Sequence, residues 1–155
     1  MSLSKKHLSA HRVPIVFDVA AFGQALRDEC PEVVFAFLLG SSKDGRIGVG
    51  SDLDVALYVR DATSLALVGR VLEIADRFAP GAHCDPGILN EAEPVYRFEA
   101  LKGRLLFTRD QETYLDFYSL TCREYEGQLH DYARQRRYRL AVREEKTSWK
   151  AQPTA

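Results

Sequence analysis

The sequence predicts an α+β fold: a mixed β-sheet flanked by helices and followed by one long C-terminal helix. Three observations predict it. Two apolar runs rich in β-branched and aromatic residues, Val33 to Leu39 and Asp52 to Arg60, flank a Gly-rich loop. Apolar residues recur at helical spacing in the segments around them. Finally, the stretch from Asp110 to about Arg143 reads as one continuous helix. The resulting order is α-β-β-α-β-α-β-α. With 155 residues, 46% of them hydrophobic, the chain is expected to form one domain over residues 15–143, with residues 1–14 and 144–155 as flexible tails.

In order along the chain, Phe17 to Cys30 forms the first helix, with Val19, Phe22, Leu26 and Cys30 on one face, and Pro31 stops it. Val33 to Leu39 is almost continuously apolar, as a central strand covered on both faces must be. Ser42 to Ser51 is a loop carrying Gly45, Gly48 and Gly50. It is too short for a helical crossover, so the strand from Asp52 to Arg60 is expected to pair antiparallel with the first. Asp61 to Ser64 offers N-caps for a helix from Leu65 to Ala79, whose apolar face holds Leu67, Val71, Leu72, Ile74, Ala75 and Phe78. Pro80-Gly81 ends that helix. Ala82 to Leu89 is a third strand, which Pro86-Gly87 is expected to end or bulge. Pro94 opens a short helix to Leu101, Lys102-Gly103 closes it, and Arg104 to Thr108 is a fourth strand.

Composition narrows the function. A formal net charge of -1 gives no global pull toward nucleic acid or membrane. Cys30, Cys84 and Cys122 are odd in number and far apart, which suits free thiols in a cytoplasmic protein rather than a disulfide framework or zinc site. Met1 to Val13 lacks an apolar signal core, and no run is long enough to span a membrane.

The chemistry concentrates between Gly40 and Val59. On a strand, side chains at i and i+2 share a face, so Asp52 and Asp54 stand side by side. Two neighbouring carboxylates repel unless a cation lies between them. A pair of hard oxygen ligands suits Mg²⁺, which commonly binds one or two carboxylates together with substrate phosphates. Gly40-Ser41 ends the preceding strand with a residue that lets backbone approach a ligand and a small hydroxyl that bonds phosphate.

Gly40-Ser41, ten residues, then Asp52-x-Asp54 resembles the signature of minimal nucleotidyltransferases of the polymerase-beta-like superfamily. It is most similar to the MntA-type antitoxins that pair with a HEPN ribonuclease toxin. The resemblance covers roughly residues 15 to 110. It implies a polymerase-beta-like fold in which Asp52, Asp54 and a third carboxylate, Asp85, hold Mg²⁺, and Gly40 and Ser41 hold the outer phosphates of ATP. Asp85 would also act on the attacking hydroxyl. Many members carry a basic residue four positions after the Gly; this chain has Asp44 there, so Lys43 or Arg46 is the candidate to neutralise pyrophosphate. His83, on the same strand face as Asp85, is read as structural. The implied activity is transfer of AMP from ATP to a tyrosine of the HEPN toxin. Two alternatives are a nucleotidyltransferase acting on a small-molecule hydroxyl such as an aminoglycoside, and an antitoxin that masks its toxin by binding alone.

In the C-terminal helix, Tyr118, Tyr125 and Tyr132 recur every seven residues, and Arg134, Arg136, Arg137, Arg139 and Arg143 crowd its end. This aromatic and basic surface suits a protein partner better than RNA, because the whole chain is not basic.

Overall fold

The computed structural model describes residues 10–150. The expected tails at residues 1–9 and 151–155 lie outside the described residues. The elements are β1 (Ile15–Val16), α1 (Val19–Glu29), β2 (Val33–Leu39), a 3₁₀ turn (Gly40–Asp44), β3 (Arg46–Ile47), β4 (Leu53–Val59), α2 (Leu65–Phe78), β5 (Cys84–Ile88), α3 (Pro94–Leu101), β6 (Arg104–Thr108) and α4 (Gln111–Lys150).

Four strands form the main sheet in the order β5-β4-β2-β6. The pairs β2/β4 and β2/β6 are antiparallel and β4/β5 is parallel, so the sheet is mixed as expected. β2, paired on both edges, is the nearly continuous apolar run, and Val33 to Leu38 are all buried. β5 is an edge strand and runs straight through Pro86 and Gly87. A proline costs an edge strand no ladder bond on its open side, so the expected break does not occur.

Alternation along β4 divides the core. Leu53, Val55, Leu57 and Val59 face α1 and α2, together with Phe22, Leu26, Val71 and Ile74. Ala56 and Tyr58 face α3 and α4, where Phe35, Phe37, Leu89, Ala100 and Phe117 pack. The Phe35 ring stacks on Tyr58 at 4.7 Å between centroids and meets Phe117 at 5.1 Å and Tyr114 at 5.4 Å. Each aromatic pair of this kind adds roughly 1 kcal/mol beyond its buried area.

Ser64, within the expected cap stretch, opens α2, whereas α1 begins at Val19 behind Asp18 rather than at Phe17. Asp18 accepts from Ala21 N–H at 3.0 Å, and Ser64 from Leu67 N–H at 3.1 Å. Such caps contribute about 1 kcal/mol each. Pro94 opens α3. Asp110 accepts from the backbone of Glu112 and Thr113 and from the Thr113 hydroxyl; the Thr113 bonds foremost hold its carboxyl below the usual range. α3 and α4 are joined by an Arg97–Glu124 ion pair and by Phe98 stacked on Tyr125 at 3.9 Å.

Three expectations need correction. The loop from Ser42 to Ser51 contains order: a 3₁₀ turn reaches into it, and β3 pairs antiparallel with β1, the two residues between the expected lead and the expected first helix. The part of the lead that is described is held down, because His11 Nε2 lies 2.7 Å from the Gly48 carbonyl and Ala10 N–H donates to Gly81. α4 continues to Lys150, past the expected end near Arg143. Arg, Glu and Lys are good helix formers, so loss of apolar period there does not end the helix.

A cavity of about 720 Å³ opens at the C-terminal ends of β4 and β5, between Val59–Thr63 and Asn90–Ala92. It lies at the opposite end of these strands from Asp52, Asp54 and Asp85. Asn90 closes the strands here by donating to the Val59 carbonyl at 2.7 Å and accepting from the Val59 N–H at 3.0 Å. Asn90→Ala strands both backbone groups and is expected to lower unfolding free energy by about 2 kcal/mol in a urea titration.

Candidate active site

Antiparallel pairing of β2 with β4 sets Leu39 opposite Asp54, so the turn that follows Leu39 begins beside the first residues of β4. Parallel pairing of β4 with β5 sets Asp54 directly opposite Asp85. Both carboxylates are exposed. Neighbouring strands are about 4.8 Å apart, so these side chains project alongside each other from one face. Asp52, expected to open this strand, instead immediately precedes β4 and is half-buried, two residues from Asp54. The face that Asp54 and Asp85 share is the one α3 and α4 cover farther down the strands, and the carboxylates occupy the end they leave open.

Gly40 is constrained twice. Its φ is 64°, the left-handed region that favours glycine, and a Cβ there would lie 3.3 Å from Asp54 Oδ2. The Gly40 turn therefore lies beside the Asp54 carboxylate. Ser41 is exposed in the first turn of the 3₁₀ segment. The next serine is spent on the fold: Ser42 is buried and its hydroxyl donates to the Leu39 carbonyl at 2.9 Å. Lys43 and Arg46 are both exposed, Lys43 within the turn and Arg46 on β3 opposite Val16. Asp44 is exposed beside them.

His83 Nδ1 lies 3.9 Å from Asp52 Oδ1, beyond hydrogen-bonding distance, while its carbonyl accepts from Leu53 N–H at 2.8 Å. The backbone bond locks the start of β5 to the start of β4. Negative potential from the carboxylate row is felt by its neighbours. The Cys84 thiol is pushed up to about 12, first by burial and then by Asp54, Asp85 and Asp52. Cys84 is therefore an inert thiol at neutral pH.

Two side chains that the sequence reading does not single out stand at the rim. Arg104 opens β6 opposite Leu38, and its Nη1 donates to the Lys43 carbonyl at 3.4 Å, so a cation from the far strand reaches the Gly-Ser turn. Tyr96 reaches from α3 so that its hydroxyl fills the space a Cβ of residue 87 would take; Gly87 is what lets α3 close onto β5. Burial raises the Tyr96 phenol, with Asp54 and Asp85 adding to the shift, so it stays protonated at neutral pH. Arg104 is placed by the β2/β6 register and Tyr96 by the packing of α3 on β5, neither of which is local in the sequence.

Among the described residues, no group of three His, Cys, Asp or Glu closes around a point as a preformed metal cage would. The donor set is nonetheless the one Mg²⁺ uses when water and substrate phosphate complete its shell: hard carboxylate oxygens on one open face. Asp54 and Asp85 are the exposed carboxylates that could hold such an ion, with Asp52 two residues before Asp54 and the Gly40-Ser41 turn following the residue paired with Asp54. No helix among the described residues is long and apolar enough to cross a membrane.

Residues 24–112 match the family model described as polymerase beta, nucleotidyltransferase. Among solved structures, the chain is similar to a mutant of the toxin–antitoxin pair MntA–HpeT, with 20% identity, 84% of this chain and 98% of that one covered, and a TM-score of 0.55. A toxin–antitoxin structure with AMP-PNP is 22% identical over 80% of this chain and 94% of that one, with a TM-score of 0.51. The MntA–HepT toxin–antitoxin structure is 21% identical, with 83% and 96% covered and a TM-score of 0.50. At these identities the likeness establishes the fold. No curated protein matches the sequence.

Proposed function

This chain belongs to the polymerase beta nucleotidyltransferase family, and from that premise we propose that it is a cytoplasmic antitoxin that transfers AMP from ATP to a tyrosine of a HEPN ribonuclease toxin. The observation that carries the reading is the register that sets Asp54 against Asp85 beside the Gly40-Ser41 turn. The overall fold is shared with structures of toxin–antitoxin pairs, one of them with AMP-PNP, which supports the choice of partner and nucleotide.

Asp52 and Asp54 would hold Mg²⁺ and with it the triphosphate, with Asp85 as the third ligand. The Gly40 and Ser41 backbone and the Ser41 hydroxyl bind the outer phosphates, and no side chain at Gly40 obstructs them. Lys43 and Arg46, joined by Arg104, offset the charge of departing pyrophosphate. Asp85 orients the tyrosine hydroxyl and takes its proton as the oxygen attacks the α-phosphorus in line. Mg²⁺, when bound, would supply neutralisation of the charge on the reacting phosphates. The open end of the sheet face gives the acceptor, carried by another protein, direct access to the row of carboxylates.

Calorimetric titration tests the nucleotide half of this reading. Wild-type protein is expected to bind ATP at least about tenfold more tightly with Mg²⁺ than with chelator, and Asp52→Ala is expected to remove the difference. Equal affinity with and without Mg²⁺ would leave a masking antitoxin as the better account.

A further inference from the structure

Only the first half of α4 has a place on the sheet. Tyr114, Phe117, Thr121 and Gln128 face the domain, whereas beyond Gln128 every described side chain is exposed except the half-buried Val142. The helix continues for about 30 Å past that point. A second set of apolar residues runs along it. At 100° per residue, Leu115, Tyr118, Cys122, Leu129, Ala133 and Leu140 fall within about 60° of arc, roughly a quarter turn from the face packed on the sheet. Leu115 is 51% exposed, Tyr118 46%, Leu129 49% and Leu140 51%. The first three steps in this set are three, four and seven residues, the spacing of a helix–helix seam.

The charges of α4 separate along its length. From Glu112 to Asp131 it carries Glu112, Asp116, Glu124, Glu126 and Asp131 against Arg123. From Arg134 on it carries Arg134, Arg136, Arg137, Arg139, Arg143 and Lys146 against Glu144 and Glu145. One end of the helix is acidic and the other basic, so α4 is electrostatically complementary to itself reversed. A parallel pair would set arginine against arginine.

We propose that the exposed stripe of α4 is covered by α4 of a second copy of this chain, running antiparallel. Two apolar contacts and the end charges set the register, in which Tyr118 and Leu129 fall opposite Arg137 and Glu126 of the other copy. Leu115 meets Leu140 of the other copy, Cys122 meets Ala133, and Glu112 lies opposite Arg143, with each contact repeated by the two-fold axis. The overlap from Glu112 to Arg143 is about 45 Å long. This pairing is independent of the active site, which lies on the sheet and stays open in each copy.

Engineered cross-linking of the full chain tests the register. Ala133→Cys is expected to form an intermolecular disulfide with native Cys122 under mild oxidation, while wild type forms none; Cys30 and Cys84 are buried and do not compete. Sedimentation velocity is expected to show a wild-type dimer that weakens with salt. Glu112→Arg should raise its dissociation constant about tenfold, and Glu112→Arg combined with Arg143→Glu in one chain should restore it. A wild-type chain that sediments as a monomer at low salt, or that joins only a HEPN toxin through this stripe, overturns the proposal. So does a dimer linked through Cys122 to Cys122, or one indifferent to both charge changes.

Discussion

Asp54→Asn is expected to reduce AMP transfer by at least about a thousandfold while leaving the melting temperature at or slightly above that of wild type. The two outcomes follow from the same position. Asp54 is exposed on β4 and contributes nothing to either core cluster, so its replacement by a side chain of the same shape opens no cavity. It stands opposite Asp85 and two residues from Asp52, and removing one of three like charges relieves repulsion in the protein without Mg²⁺. With Mg-ATP bound, the proposal makes the same charge a metal ligand, whose loss would remove several kcal/mol of transition-state stabilisation. Single-turnover transfer together with a thermal melt reads both effects. A loss of activity accompanied by a large fall in melting temperature would place Asp54 in the fold rather than in the chemistry.

Gly45→Ala carries the largest expected effect on stability, a loss of about 3 kcal/mol. Gly45 closes the 3₁₀ turn with φ at 82°, where alanine is strained. A Cβ there would stand 2.7 Å from the Phe17 carbonyl oxygen and 3.0 Å from Val19 Cγ2. The oxygen cannot yield, because the Phe17 backbone is itself bound to Gly45, its N–H donating to the Gly45 carbonyl at 2.9 Å. The strain therefore passes into the start of α1 and into the turn bearing Gly40 and Ser41. Gly50 is the control: its φ is 69° but a Cβ would meet nothing within 4 Å, so Gly50→Ala is expected to lose only about 1 kcal/mol. Equal losses for the two variants in urea titrations would contradict the steric account.

These two sites show what the sequence makes legible. The face of Asp54 is readable because strand alternation is local: it shares the face of Ala56 and Tyr58, whatever the partner strand, while Asp52 precedes the strand. The long apolar runs likewise announce β2 and β4, since each needs both faces covered. Pairing of Asp54 with Asp85 is not local. Pro86-Gly87 reads as a break, and only the edge position of β5 makes the proline harmless. Arg104 escapes notice for the same reason, because its distance from the Gly40 turn is set by the β2/β6 register. β1 and β3 are too short to show any period. Each has two residues, and they pair across a gap spanned by α1 and β2. The end of α4 is missed because residues 144–150 carry no apolar period, and the helix continues there on the propensity of Glu and Lys alone.

The central claim is that the carboxylate row and the Gly-Ser turn form a transferase site whose acceptor is a second protein. Its most direct test is the intact mass of a HEPN toxin encoded beside this chain, measured after incubation with the purified protein and Mg-ATP. The claim predicts a toxin heavier by one or more whole AMP groups, carried on tyrosine, and no mass change with the Asp54→Asn variant. A toxin that binds the chain tightly yet keeps its mass would contradict it.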